Sequence, residues 1–76
     1  MASGKFAKRF GARIRQFRLR KRMSQELLAS RAGLHPTHIS LIERGERAVR
    51  IETIERLAIG LGVQPSRIMP DVTLRS

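Results

Sequence analysis

Two histidines three residues apart, His35 and His38, stand beside Thr37, Ser40 and Arg44 in a chain with few other groups capable of chemistry. A structural zinc site wants about four ligands, and the chain has no cysteine and no third histidine. No metal and no cofactor are therefore expected. Glu52 and Glu55 are also three apart and could pose as an acid/base pair. Arg56 adjoins them on an amphipathic segment, and a solvated face is the simpler assignment. No nucleophile stands beside a base, so the chain is not expected to be an enzyme. Hydroxyl, imidazole and guanidinium groups can instead hydrogen-bond to base edges and phosphates.

The charge points the same way. Sixteen Lys and Arg oppose six Asp and Glu, for a formal +10. Such a field attracts polyanions, either nucleic acid or an anionic membrane. Nine of the cations lie between Lys5 and Arg22, and no acid precedes Glu26. Phe6, Phe10 and Phe17 are the only aromatics. Single-strand binders stack bases on exposed aromatic rings, a route that closes if these three are core. Seventy-six residues allow one small domain, expected to span 1–76. With 41% hydrophobic residues it can build an apolar core. No apolar run approaches the ~20 residues that span a bilayer, and no apolar stretch of a secretory signal opens the chain.

The elements that must position these groups are helical. Phe6, Phe10, Ile14 and Phe17 recur at helical spacing, predicting a helix over about Lys5 to Lys21. Ser24 is a cap for a second helix, with Leu28, Ala29 and Ala32 inward and Gly33 at its end. Pro36 suits a first helical position, opening a third helix that Gly45 stops at Arg44. A fourth runs from about Ile51 to Leu61 on the stripe Ile51, Ile54, Leu57, Ala58 and Leu61, closed by Gly62. A last turn covers Pro65 to Met69, and Asp71 to Ser76 is a frayed tail. Nothing reads as a strand. The fold class is all-α, a compact bundle of four to five short helices.

Two short helices joined by a glycine-containing turn make a helix-turn-helix, here about 24–44. Ala29 is small enough for a helix crossing, and Gly33 permits the sharp turn. With Ile39 and Ile42 anchoring the inner face, Thr37, His38, Ser40, Leu41 and Arg44 remain outside, where a major groove would meet them.

The run MSQELLASRAGLHPTHISLIERGERAVRIETIERLAIGLGV, Met23 to Val63, resembles the lambda-repressor-like (Cro/C1, XRE-type) helix-turn-helix family, and FGARIRQFRLRKR resembles its first helix. Within that family, GLHPTHISLIERGER is most similar to the controller proteins of restriction–modification systems. The resemblance implies that Ser24 and Gln25 open the second helix at a DNA phosphate. It places His35, Pro36, Thr37, His38, Ser40 and Leu41 at or near the bases, with His35 alternatively a cap. Arg44 and Arg47 fall on flanking phosphates, and Glu43 pairs with Arg18. Some positions depart from the pattern. Pro36 replaces a long polar or basic side chain, Leu27 a glutamate, and Arg50 a serine-type cap. Leu41 stands where a polar or small residue is usual and could meet a thymine methyl.

The expected function is a double-stranded DNA-binding transcriptional regulator acting as a homodimer on a palindromic operator, cytoplasmic and nucleoid-associated, with no small-molecule effector and no membrane partner. Val63, Ile68, Met69, Val72 and Leu74 exceed what so small a core needs and are the expected dimer contact, within about 63–76. Alternatives are the DNA-binding antitoxin of a toxin–antitoxin pair, a phage-type repressor, or a nonspecific polyanion binder. The basic amphipathic first segment also fits a membrane-surface helix or a transit peptide. Neither accounts for the Ala29, Gly33 and Ile39 spacing.

Overall fold

Phe10 and Ile14 of the first predicted stripe have no exposed surface, and they anchor a core to which every helix contributes. The computed structural model describes residues 4–70, and all statements of structure concern these. Five helices follow in order: α1 (Lys5–Arg20), α2 (Gln25–Ala32), α3 (Pro36–Glu43), α4 (Ile51–Leu61) and α5 (Pro65–Ile68). Among the described residues there is no strand, and no helix is long and apolar enough to cross a membrane.

The predicted stops and starts are realised by specific groups. The Ser24 Oγ accepts from the Leu27 N–H at 3.0 Å, satisfying one of the free amides of the first turn of α2. Gly33 ends α2 at φ +70°, a conformation that a Cβ disfavours. Pro36 opens α3, and the His35 Nδ1 accepts from the Thr37 N–H at 3.1 Å, so His35 is the cap. At the head of α4, Arg50 makes no side-chain cap bond, as its departure from a serine-type cap foretells. Between α1 and α2 the chain turns through Arg22 at φ +56°, a left-handed value held by an arginine where glycine is unstrained.

Leu28, Ile39, Ile42, Leu57 and Ile68 complete the core with Phe10 and Ile14. Ala29 and Ala32 are also buried, and their small side chains let α2 lie close against its neighbours. The tightest approach joins α1 to α3. A Cβ on Gly11 would collide with the Ile42 carbonyl oxygen and come within 2.9 Å of that of Glu43. Part of the arginine run is packing rather than free charge. The guanidiniums of Arg13 and Arg20 each lie 5.9 Å from the Phe17 ring centroid, and the Arg13 Nε donates to the Arg67 carbonyl at 3.1 Å, tying α1 to α5.

Two assignments are corrected here. Ile51 is not in the inward stripe: it is 74% exposed, as is Ile59 at 73%. Ile51 points along the helix in nearly the direction of Ala58, but two turns earlier, beyond the elements that cover Ala58. Ile68 offers no surface to a partner, because α5 turns it wholly into the chain's own core. Val63 and Met69 are half-buried. Val72 and Leu74, with the tail 71–76, lie outside the described residues.

Candidate nucleic-acid interface

The placement of α3 depends on one buried polar network. Gly11 and Arg18 are seven residues apart on α1, hence on one face, and both meet the C-terminal end of α3. The Arg18 Nε donates to the Glu43 Oε2 at 2.6 Å, and its Nη2 to the Oε1 at 3.0 Å. Its Nη1 donates to the Met23 carbonyl at 2.8 Å. From α2, the Gln25 Nε2 donates to the same Glu43 Oε1 at 3.1 Å. One carboxylate therefore joins α1, α2 and α3. Both ion-pair partners are buried, and the bond to Glu43 holds the Arg18 guanidinium still more firmly protonated. The expected Arg18–Glu43 pair is present, and it fixes α3 against α1.

Gln25, which the resemblance assigns to a phosphate through either its side-chain amide or its backbone N–H, has that amide engaged with Glu43. The sequence gives no sign of this tie, because the partners are 18 residues apart and only the folded crossing of α2 and α3 joins them. Arg15 is likewise unforeseen. Its Nη1 is 4.0 Å from the Glu43 Oε1, while most of its side chain remains exposed.

The outward side of α3 carries the other candidates. Thr37 is exposed, while Pro36, His38, Ser40 and Leu41 are half-buried. Ile39, Ile42 and Glu43 turn inward. Ser24 and His35 sit exposed at the starts of α2 and α3, each serving its helix as cap. Arg44 forms the C-cap of α3, and its guanidinium meets the Glu46 carboxylate at 3.4 Å on the surface. Arg47 follows in the loop, also exposed. With Arg50 it lines a cleft against His38, Glu46, Glu52 and Thr53. Burial, and then the Arg47 charge, push the His38 pKa below the usual histidine value. The sequence marked Arg50 only as an odd cap. Its place in the cleft follows from the extended backbone at the head of α4.

A short helix held rigidly from behind, with polar and cationic side chains on its free side, defines a helix-turn-helix DNA-binding protein. A helix-turn-helix family model matches residues 14–68. The control protein C.BamHI of Bacillus amyloliquefaciens is 48% identical over 66 residues, covering 86% of this chain and 82% of the relative. The crystal structure of the restriction–modification controller protein C.AhdI from Aeromonas hydrophila superposes with a TM-score of 0.81 at 36% identity, covering 83% of this chain and 96% of that one. The controller protein C.Esp1396I, solved as a tetramer in complex with its natural 35-base-pair operator, matches with a TM-score of 0.81 at 34% identity, over 86% of each chain. The chain belongs to the XRE-type helix-turn-helix family of DNA-binding transcription regulators, which is not a family of enzymes.

Proposed function

We propose that this chain is a homodimeric, sequence-specific regulator of a restriction–modification system, acting in the cytoplasm on the nucleoid. The observation that carries the proposal is the free side of α3. A buried backbone contact and a buried ion pair position it, while its own hydrogen-bonding groups point away from the core. Each α3 enters the major groove of one half-site, with the two half-sites about 34 Å apart on one face of the duplex. Thr37, His38, Ser40 and Leu41 approach base edges. Arg44, Arg47 and Arg50 meet phosphates beside the groove, and the first turn of α2 at Ser24 and Gln25 takes another. The whole of 1–76 acts as one domain.

The dimer surface draws on the outer side of α4 in addition to the expected C-terminal residues other than Ile68. Ile51 and Ile59 are both nearly three-quarters exposed, with Glu55 between them on the same stripe. A second copy of the chain would cover them, and half-buried Val63 and Met69 can extend the contact. Doubling a small set of base contacts by symmetry is the economical way to useful affinity.

Selection on random duplex DNA at about 150 mM salt, near physiological ionic strength, tests the reading. The expected product is a two-fold symmetric motif with half-sites about one helical turn apart. Binding with no enriched motif, lost steeply as salt rises, would reduce the chain to a nonspecific polyanion binder.

A further inference from the structure

A cleft of about 810 Å³ opens beside the recognition helix, between α3, the 44–50 loop and the first turn of α4. His38 is the only residue of α3 among its lining groups, and it is half-buried there. Among the described residues, the other ionisable groups lining it are Arg47 and Arg50 on one side of the balance, and Glu46 and Glu52 on the other. Glu46 is already paired with Arg44, at the end of the same helix as His38. The ring therefore faces guanidiniums that are only partly offset. Partial burial and the Arg47 charge both oppose a second ring proton in the free chain.

A DNA phosphate held by Arg47 and Arg50 reverses this balance. It brings negative charge to the cleft, cancels the guanidinium field at the ring, and presents oxygens that only accept hydrogen bonds. Neutral imidazole has one N–H to offer, while imidazolium has two. We propose that His38 takes up a proton as a duplex phosphate enters the cleft, so that DNA binding by this chain tightens as the pH falls. The proposal rests on the DNA-binding reading above and assigns His38 a phosphate contact in addition to any base contact.

The sign follows from linkage. The free ring prefers to be neutral and the bound ring prefers to be charged, so binding takes up protons between the two titration midpoints. Affinity rises with falling pH across that interval, by at most about tenfold per pH unit per protomer. Above the interval both states hold a neutral ring and the slope vanishes. The chain's other histidine, His35, caps α3, its Nδ1 accepting from the Thr37 N–H, and must be replaced if His38 is to be the only imidazole. Measurements are therefore made on a His35→Asn background, since asparagine serves well as a helix cap.

The experiment measures affinity for a selected duplex and for a scrambled one between about pH 6 and 8, at fixed ionic strength. The proteins are the His35→Asn chain with and without His38→Gln. The His38 ring resonances are titrated in parallel, free and DNA-bound. The expected result is a severalfold gain in affinity toward low pH that His38→Gln abolishes, with the ring titrating at higher pH in the complex. An unchanged pH slope in His38→Gln, or a ring midpoint that DNA does not move, would overturn the proposal. A phosphate contact does not depend on sequence, so the ring titration against the scrambled duplex decides the matter even if no duplex is preferred. Absence of any preferred duplex is, by contrast, the failure of the operator reading itself.

Discussion

The two sides of α3 obey opposite rules. On its inner side, Glu43 accepts from Arg18 and Gln25 and approaches Arg15, and among the described residues no buried side-chain polar atom lacks a partner. On its outer side, Thr37, His38, Ser40 and Arg44 keep hydrogen-bonding capacity that the fold does not use. Buried polarity is tolerated only where it is fully paired. Recognition needs groups whose pairing is deferred until the ligand arrives. Eight residues of helix can meet both needs, because three positions turn inward and the other five are exposed or half-buried.

Breaking the inner side should have the largest effect. Glu43→Ala leaves Arg18 buried without its carboxylate, and removal of one partner of a buried pair costs about 3–5 kcal/mol. Urea unfolding at neutral pH should show a loss of that order, and a change below about 1 kcal/mol would mean that the network does not hold α3.

An intermediate effect is expected on assembly. Ile59→Arg puts a charge at the exposed apolar face of α4, so sedimentation should show monomers at concentrations where the parent chain is dimeric. Its circular dichroism spectrum should stay helical. A dimer that survives would move the subunit contact elsewhere.

The outer side divides further. Arg44→Ala should weaken binding to all duplexes alike and lower the salt slope by about one, whereas Thr37→Ala should relax discrimination at one base pair by about 1–3 kcal/mol. Salt titrations on matched and mismatched duplexes separate the two. A sequence-dependent effect of Arg44→Ala with an unchanged slope would reverse the assignments.

The smallest effect lies outside both sides. Arg22→Gly relieves a left-handed arginine, and relief of that order, about 1 kcal/mol, is offset in part by the greater freedom of glycine when unfolded. A gain of a few tenths in thermal unfolding is expected.

Helix boundaries were legible because they are written locally. The Phe6, Phe10, Ile14 and Phe17 spacing, the Ser24 cap, and the glycines and prolines at the ends each act within a few residues. The outer face of α3 was legible for the same reason, since Ile39 and Ile42 fix its inward direction and leave the rest outside. The Gln25 tie to Glu43 was not, because it depends on how two helices cross. Ile51 and Ile68 failed for a related reason. Periodicity tells which way a side chain points but not whether a neighbour reaches that far: α4 begins beyond its cover at Ile51, and α5 folds Ile68 back into the core. The cleft beside His38 needed three separate elements to converge.

The close approach at Gly11 has a mechanical consequence. Backbone rests on backbone there, with no side chain between α1 and α3 to yield, and the Glu43 network pins the same end. A reader mounted so stiffly cannot tilt to follow irregularities in the groove, and compliance must come from the duplex. In the proposed dimeric complex, base pairs lying between the half-sites would then influence occupancy through their flexibility, with easily kinked pyrimidine–purine steps favoured over stiff A-tracts wherever that complex requires a bend.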